Sequence, residues 1–231
     1  MNWDQFDCLS FDCYGTLIDW EKGILAALHP ILEAHRVSAG DNALLELFAK
    51  AESGIEAGPY RYYRNVLEDV LIDIGKEIGF KPSRDELKRF SLSVKDWAAF
   101  PDSASALRAL SNKYRLIIIS NIDDDLFQFS ERALKVKFDH VFTSQQIGSY
   151  KPSMRNFEYL IQNAGVPVHK LLHVAQSLFH DLMPAKKAGL STVWINRRKG
   201  KDGFGATLPA AAEPDLTVPD LRTLAVLAGT L

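Results

Sequence analysis

The sequence predicts an α/β fold: a parallel sheet with helices on both faces, and an all-helical segment inserted after the first strand. Three observations lead there. After Pro101, short apolar runs alternate with helical patterns, the order that builds parallel sheets with crossover helices. Leu116-Ile117-Ile118-Ile119 is apolar at every position, as a strand buried on both faces must be. Between the first strand and that alternation, residues 19–97 carry helical periodicity only.

Taken in order, residues 5–12 read as the first strand. Leu44, Leu47, Phe48, Ala51 and Ile55 recur at helical spacing, and Gly58-Pro59 breaks that helix. A second helical pattern runs through Tyr63, Val66, Leu67, Val70, Leu71 and Ile74. Ser83-Arg84-Asp85-Glu86 has the form of a capping box, in which Ser and Glu each satisfy a free backbone N–H at a helix start. That helix runs towards Trp97. Residues 102–112 read as helix, Arg115–Ser120 as strand, then a helix, then a short strand at 140–143. Residues 153–164 form a helix stopped by Gly165, with Pro167 beyond it. Leu171–Ala175 is a strand, 180–188 a helix ending at Gly189, and Ser191–Ile195 a strand. Residues 215–218 add an edge strand. The basic, Gly-containing stretch from Arg197 to Gly205 is expected to be a flexible surface loop.

This pattern divides the chain into an α/β core of residues 1–18 and 98–231 and a helical cap of residues 19–97. An insert at that point leaves and returns near the end of the first strand, so it covers the sheet rim. At 231 residues the chain is long enough to bury a proper core. Its net charge of -2 provides no field to draw it to nucleic acid or an anionic membrane. No run approaches the ~18 apolar residues of a membrane span. The N-terminus enters a strand within a few residues and shows no basic-then-apolar leader. Two cysteines, Cys8 and Cys13, exclude a disulfide framework and make the cytoplasm the expected location.

Four strand ends carry chemistry. Asp12 follows the first strand in Asp12-Cys13-Tyr14-Gly15-Thr16. Ser120-Asn121 ends the Ile-rich strand. Lys151 lies in Gly148-Ser149-Tyr150-Lys151-Pro152. Asp181 closes Ala175-Gln176-Ser177-Leu178-Phe179-His180-Asp181. Ligands of open α/β sheets bind outside the carboxyl ends of the strands, where all four lie. A carboxylate such as Asp12 can attack a carbon bearing a leaving group and split a hard hydrolysis into two easier steps. Lys151 supplies a fixed positive charge that keeps such a carboxylate ionised. Thr16 is placed to orient Asp12. Ser120 and Asn121 are placed to hold a substrate carboxylate. Asp181 is placed to activate water, with helix N-capping as the competing role.

Together, these stretches resemble the four motifs of the haloacid dehalogenase superfamily, over essentially the whole chain. The resemblance implies a Rossmann-like core, a nucleophilic Asp12 and, in most members, Mg²⁺-dependent phosphatase activity. Phosphatases carry a second Asp where this chain has Tyr14, and a metal-holding Asp where it has Gln176. Asp-x-Tyr-Gly-Thr is instead similar to the 2-haloacid dehalogenase branch, which implies hydrolysis at carbon with no metal or other cofactor. Tyr14 then lines the pocket, and Ser177 stands where that branch has a pocket Asn. Trp194-Ile195-Asn196-Arg197 also looks like that branch. A Tyr of the branch corresponds to Phe157. The halide-binding Arg of the second cap helix corresponds to Phe48-Ala49, which leaves Arg61 or Arg64 either to replace it or to lie on the surface.

Three other readings stay open. Phe-Asp-Cys-Tyr-Gly-Thr-Leu-Ile-Asp-Trp and Ser-Leu-Phe-His-Asp are also similar to hydrolases that open the ring of L-azetidine-2-carboxylate, where His180 would protonate a ring nitrogen. The others are a Mg²⁺-dependent phosphatase and a non-catalytic binder of small acids. The expected partner is a small carboxylic acid, with a homodimer through the cap implied by family analogy.

Overall fold

A six-stranded, fully parallel sheet organises the molecule, in the order β3-β2-β1-β4-β5-β6. The computed structural model describes residues 1–231. The strands are β1 (Cys8–Phe11), β2 (Arg115–Ser120), β3 (His140–Thr143), β4 (Leu171–Ala175), β5 (Ser191–Ile195) and β6 (Leu216–Val218). β1 lies between β2 and β4, with Phe11 level with Ile118 on one side and Val174 on the other. The strand order reverses between β1 and β4. In such sheets that switch point opens a crevice at the carboxyl ends. Asp12 and Gln176 each follow immediately on one of these two strands.

Four helices follow β1 before the chain returns to the sheet rim: α1 (Trp20–Ala34), α2 (Asp41–Glu56), α3 (Tyr63–Ile78) and α4 (Arg84–Leu92). The segments leading in and out lie side by side. The Asp19 N–H donates to Ala98 O at 2.8 Å, and the Phe100 N–H to Leu17 O at 3.0 Å. α3 buries Val66, Leu67, Val70, Leu71 and Ile74, the expected stripe. It ends at Gly79, whose φ of +96° suits a residue without a Cβ. α4 starts in the expected capping box: Ser83 Oγ accepts from the Glu86 N–H, and Glu86 Oε2 accepts from the Ser83 N–H. One apolar core joins this helical layer to the sheet, since Leu9 and Phe11 of β1 pack in the same cluster as Phe48 and Leu67. No helix is long and apolar enough to cross a membrane.

The remaining helices are α5 (Ser103–Leu110), α6 (Asp124–Leu134), α7 (Ser144–Ile147), α8 (Met154–Asn163), α9 (Met183–Lys187) and α10 (Leu221–Leu227). Three expectations need correction, and two short helices, α7 and α10, were not expected. The first strand is shorter than 5–12, because Trp3–Gln5 forms a tight turn stopped by extended Phe6. The expected helix over 180–188 begins earlier, as a wide π turn over Leu178–Leu182, and becomes regular only at Met183. α7 and α10 carry too few turns to show a period. The stretch from Arg197 is anchored at its start. Arg197 donates to Thr16 O and Asp102 Oδ1 and stacks on Phe100, and Arg198 donates to Glu21. Both arginine side chains are about nine-tenths buried as a result.

Candidate active site

Asp12 is the first residue beyond β1, and its N–H still bonds to Val174 O at 3.1 Å, so the sheet itself fixes its position. The chain then turns sharply through Gly15, at φ +90°. A Cβ there would meet Trp20 Nε1 at 2.8 Å and Gln176 Oε1 at 2.9 Å, so the position requires glycine in space as well as in backbone angle. The turn brings Thr16 back over Asp12. Thr16 Oγ1 donates to Asp12 Oδ2 at 2.5 Å and accepts from the Gln176 N–H at 2.8 Å. Trp194 Nε1 in turn donates to Gln176 O. The strand ends of β1, β4 and β5 are thus tied to one carboxylate.

Lys151 reaches the same point from the segment after α7. Its Nζ donates to Asp12 Oδ1 (2.9 Å), Asp181 Oδ1 (2.6 Å) and Ile119 O (3.1 Å). Behind Asp181, His173 Nε2 lies 3.2 Å from Oδ1, and His173 Nδ1 lies 3.0 Å from Ser10 Oγ. Asp181 Oδ2 is buried without a partner. The helix cap that competed for Asp181 is supplied by Ser177, whose Oγ accepts from the His180 N–H. The wide turn over 178–182 lets Asp181 face Lys151 while His180 faces the helical layer.

Burial dominates the electrostatics. It pushes the Asp12 carboxyl up, and neighbouring Asp181 adds to this against Lys151 and Thr16. Asp181 is also penalised by burial, yet Lys151 and His173 hold it below the usual carboxylate range. Burial alone would lower Lys151, but the two carboxylates outweigh it and raise it. One lysine therefore serves two buried acids.

These groups line a cavity of about 30 Å³, together with Tyr14, Trp20, Glu52, Tyr63, Ser120, Asn121, Ser177 and His180. A water needs ~10–15 Å³ on such a measure, so only a small molecule suits the space. Beside it lies a larger hollow of about 360 Å³, bordered by Ser53, Glu56, Tyr60, Tyr150, Phe179 and His180.

The expected site residues are all brought to this point, though not all are free to act. Asp12, Thr16, Lys151 and Asp181 form one hydrogen-bonded unit. Ser120 Oγ is buried without a partner and lines the cavity. Tyr14 also lines it, with its hydroxyl 2.9 Å from Ser130 Oγ and its ring edge-on to Trp97. Asn121 spends its side chain on the Lys151 backbone and Glu56. Ser177 spends its hydroxyl on His180 and Thr207. Neither arginine considered for an anion site reaches the cavity. Arg61 pairs with Asp69 on the surface, and Arg64 pairs with Asp123 and Asp125. Phe48 is fully buried against Trp20, and Phe157 packs edge-on to His173 away from the cavity. Glu52, Glu56, Tyr63 and His173 are the site residues that motif spacing did not bring forward.

A haloacid dehalogenase-like hydrolase family model matches residues 6–189, which include β1, the helical layer and all four strand-end motifs. The chain belongs to this family. The haloacid dehalogenase-like hydrolases it resembles include (S)-2-haloacid dehalogenase H-109 of Pseudomonas putida, 25% identical over 85% of this chain and 89% of that one. Pyrimidine 5'-nucleotidase YjjG of Escherichia coli is 28% identical, over 54% of each chain, so this chain spans about half of that relative. Among solved structures, the L-2-haloacid dehalogenase of Xanthobacter autotrophicus with chloropropionic acid covalently bound shares the fold. Its TM-score is 0.79 at 20% identity, over 98% of this chain and 99% of that one.

The metal of haloacid dehalogenase-like phosphatases does not fit these residues. Hard divalent cations prefer several carboxylate oxygens. Here Tyr14 and neutral Gln176 flank Asp12, and no group of three or more His, Cys, Asp or Glu is arranged to hold an ion.

Proposed function

We propose that this hydrolase breaks a bond at carbon in a small carboxylic acid through an ester on Asp12, the reaction class of the 2-haloacid dehalogenases among its relatives. A 2-halo acid is the substrate those relatives suggest. The observation that carries the reading is the buried unit of Asp12, Thr16, Lys151 and Asp181 facing a cavity for a few atoms, with Tyr14 where a phosphatase needs a carboxylate.

In the proposed reaction Asp12 attacks the substrate carbon, and the leaving group departs with the bonding pair. The charge and hydrogen bonds of Lys151 and Thr16 steady the carboxylate. Water then attacks the ester at the Asp12 carboxyl carbon. Asp181 Oδ2, buried and without a partner, accepts the water proton. The ester breaks to a hydroxy acid, and Asp12 is restored with one oxygen from water. Ser120 and nearby backbone N–H groups hold the substrate carboxylate. Residues 19–97 act as the cap domain and residues 1–18 and 98–231 as the core. With both thiols free and buried, the enzyme is proposed to work in the cytoplasm.

A single turnover of 2-chloropropionate in heavy-oxygen water, with enzyme in excess, tests this. The expected product is almost unlabelled, and the peptide containing Asp12 gains the label. A fully labelled product would mean that water attacks the substrate directly and would end the reading. Exhaustive chelation is expected to leave the rate unchanged. Loss of turnover restored by Mg²⁺ would favour phosphatase-type chemistry instead.

A further inference from the structure

We infer that Glu52 and Glu56 form a subsite for a positively charged nitrogen, so that the substrate is a small zwitterion carrying an ammonium group as well as a carboxylate. The inference rests on the proposed reaction at Asp12 and adds which molecule is held there.

The two glutamates lie four residues apart on α2, Glu52 at the cavity with Asp12 and Glu56 at the adjoining hollow, which shares Lys151 and His180 with that cavity. Glu52 lines the same cavity as Asp12 and accepts from the Tyr63 hydroxyl at 2.6 Å. The Glu56 side chain is only 3% exposed. Its Oε2 accepts from Asn121 Nδ2 at 3.0 Å, while its Oε1 is buried without a partner. His180 Nε2 is also buried without a partner, 4.0 Å from Glu56 Oε2. A carboxyl buried this completely with one oxygen open either holds a proton or, when ionised, needs a donor from outside the chain.

No cation of the protein is available to supply it. Lys151 has committed its three protons, and Arg61 and Arg64 are paired elsewhere. Ionised together, Asp12, Asp181, Glu52 and Glu56 would be four acids beside one lysine, whose side-chain bonds go to the first two only. A ligand with only a carboxylate would add a further negative charge to this set. A ligand with an ammonium group on the cap side relieves it and gives the open Glu56 oxygen a charge-assisted partner.

The groups around the pair fit this exchange. Asp12, Tyr63, Asn121, Lys151 and His180 face it from the other elements. Burial pushes Glu52 up to about 8, and burial with Glu52 pushes Glu56 well above its usual range. Burial holds His180 neutral, down to about 4. Burial therefore favours the protonated form of this glutamate pair in the free pocket. A bound ammonium takes the place of a proton, and binding releases protons to solvent.

Calorimetry with an unreactive isosteric pair, L-2-aminobutyrate and L-2-hydroxybutyrate, tests the subsite. The amino acid should bind at least ~10-fold more tightly, the scale of one charge-assisted hydrogen bond. Its binding enthalpy should change between buffers of different ionisation enthalpy, which reports the released proton. Glu52→Gln and Glu56→Gln keep the shape of the neutral acids, and their folding is checked by melting at pH 6. In each, the preference should collapse towards unity. Equal or tighter binding of the hydroxy acid, a preference that survives both substitutions, or no binding of either ligand at about 10 mM would overturn the inference. The heavy-oxygen experiment reads the reaction separately: labelled Asp12 without ammonium preference removes only the subsite, and the reverse removes only the ester mechanism.

Discussion

Lys151 has three protons, and three acceptors take them: Asp12, Asp181 and the Ile119 carbonyl. Removing one member of a buried ion pair costs more than the pair contributes, because the partner's charge is left in a poor solvent. Lys151→Met strands two carboxylates. It should lower stability by about 3–5 kcal/mol, seen as a lower urea midpoint at unchanged slope, and abolish turnover. Asp12, Thr16, Lys151 and Asp181 were legible because each sits at or beside a strand end, where topology delivers side chains to one crevice. His173 was not, since a lone His inside an apolar strand says nothing of the Asp181 it meets across a turn. The free roles expected for Asn121 and Ser177 were not legible either, because nearby backbone and side-chain groups compete for the same polar atoms.

At the scale of the element, α2 shows the limit of periodicity. Its apolar residues pointed to a face through Leu44, Phe48 and Ile55, whereas the structure buries Leu44, Leu45, Phe48, Ala49 and Glu52. The acids continue the buried stripe towards the pocket, and a pattern that counts only apolar residues passes over them. The capping box of α4 was legible because its chemistry is local. Ser83→Ala should cost about 0.5–2 kcal/mol in thermal or urea unfolding. Glu86 is drawn down to about 2, first by its bond from the Ser83 backbone, then by the Ser83 hydroxyl and His35. Its contribution is therefore complete above pH 4.5 and is lost as pH falls through about 2. The stability gap between wild type and Ser83→Ala should narrow across that range, and a gap independent of pH would show that the Glu86 carboxylate is not involved.

The whole molecule should lose stability towards both ends of the pH scale, for reasons located in one pocket. Glu52 rises from 4.5 to about 8 on folding, so its contribution is present below pH 4.5 and is lost as pH rises through about 8. His180 falls from 6.5 to about 4, so its contribution is present above pH 6.5 and is lost as pH falls through about 4. Melting temperatures across pH 5–9 should show Glu52→Gln flattening the alkaline decline. An unchanged decline would place its origin elsewhere. The sheet, its edge strand and the helical insert were readable from alternation and connectivity, which are whole-chain properties. The Arg197 and Arg198 anchors were not, since basic residues beside glycines look the same in a loose loop and in a buried one.

The apolar core shared by the sheet and the helical layer has a consequence for traffic. Swinging the layer away as a lid would bare that core to water, at ~25 cal/mol for each Å² exposed. The hollow beside Tyr60 and Tyr150 shares Lys151 and His180 with the cavity at Asp12, so an approach from that side leaves the apolar core covered. The size of an acceptable acid is then set by the small cavity itself, which a solute reaches without the sheet and the helical layer parting.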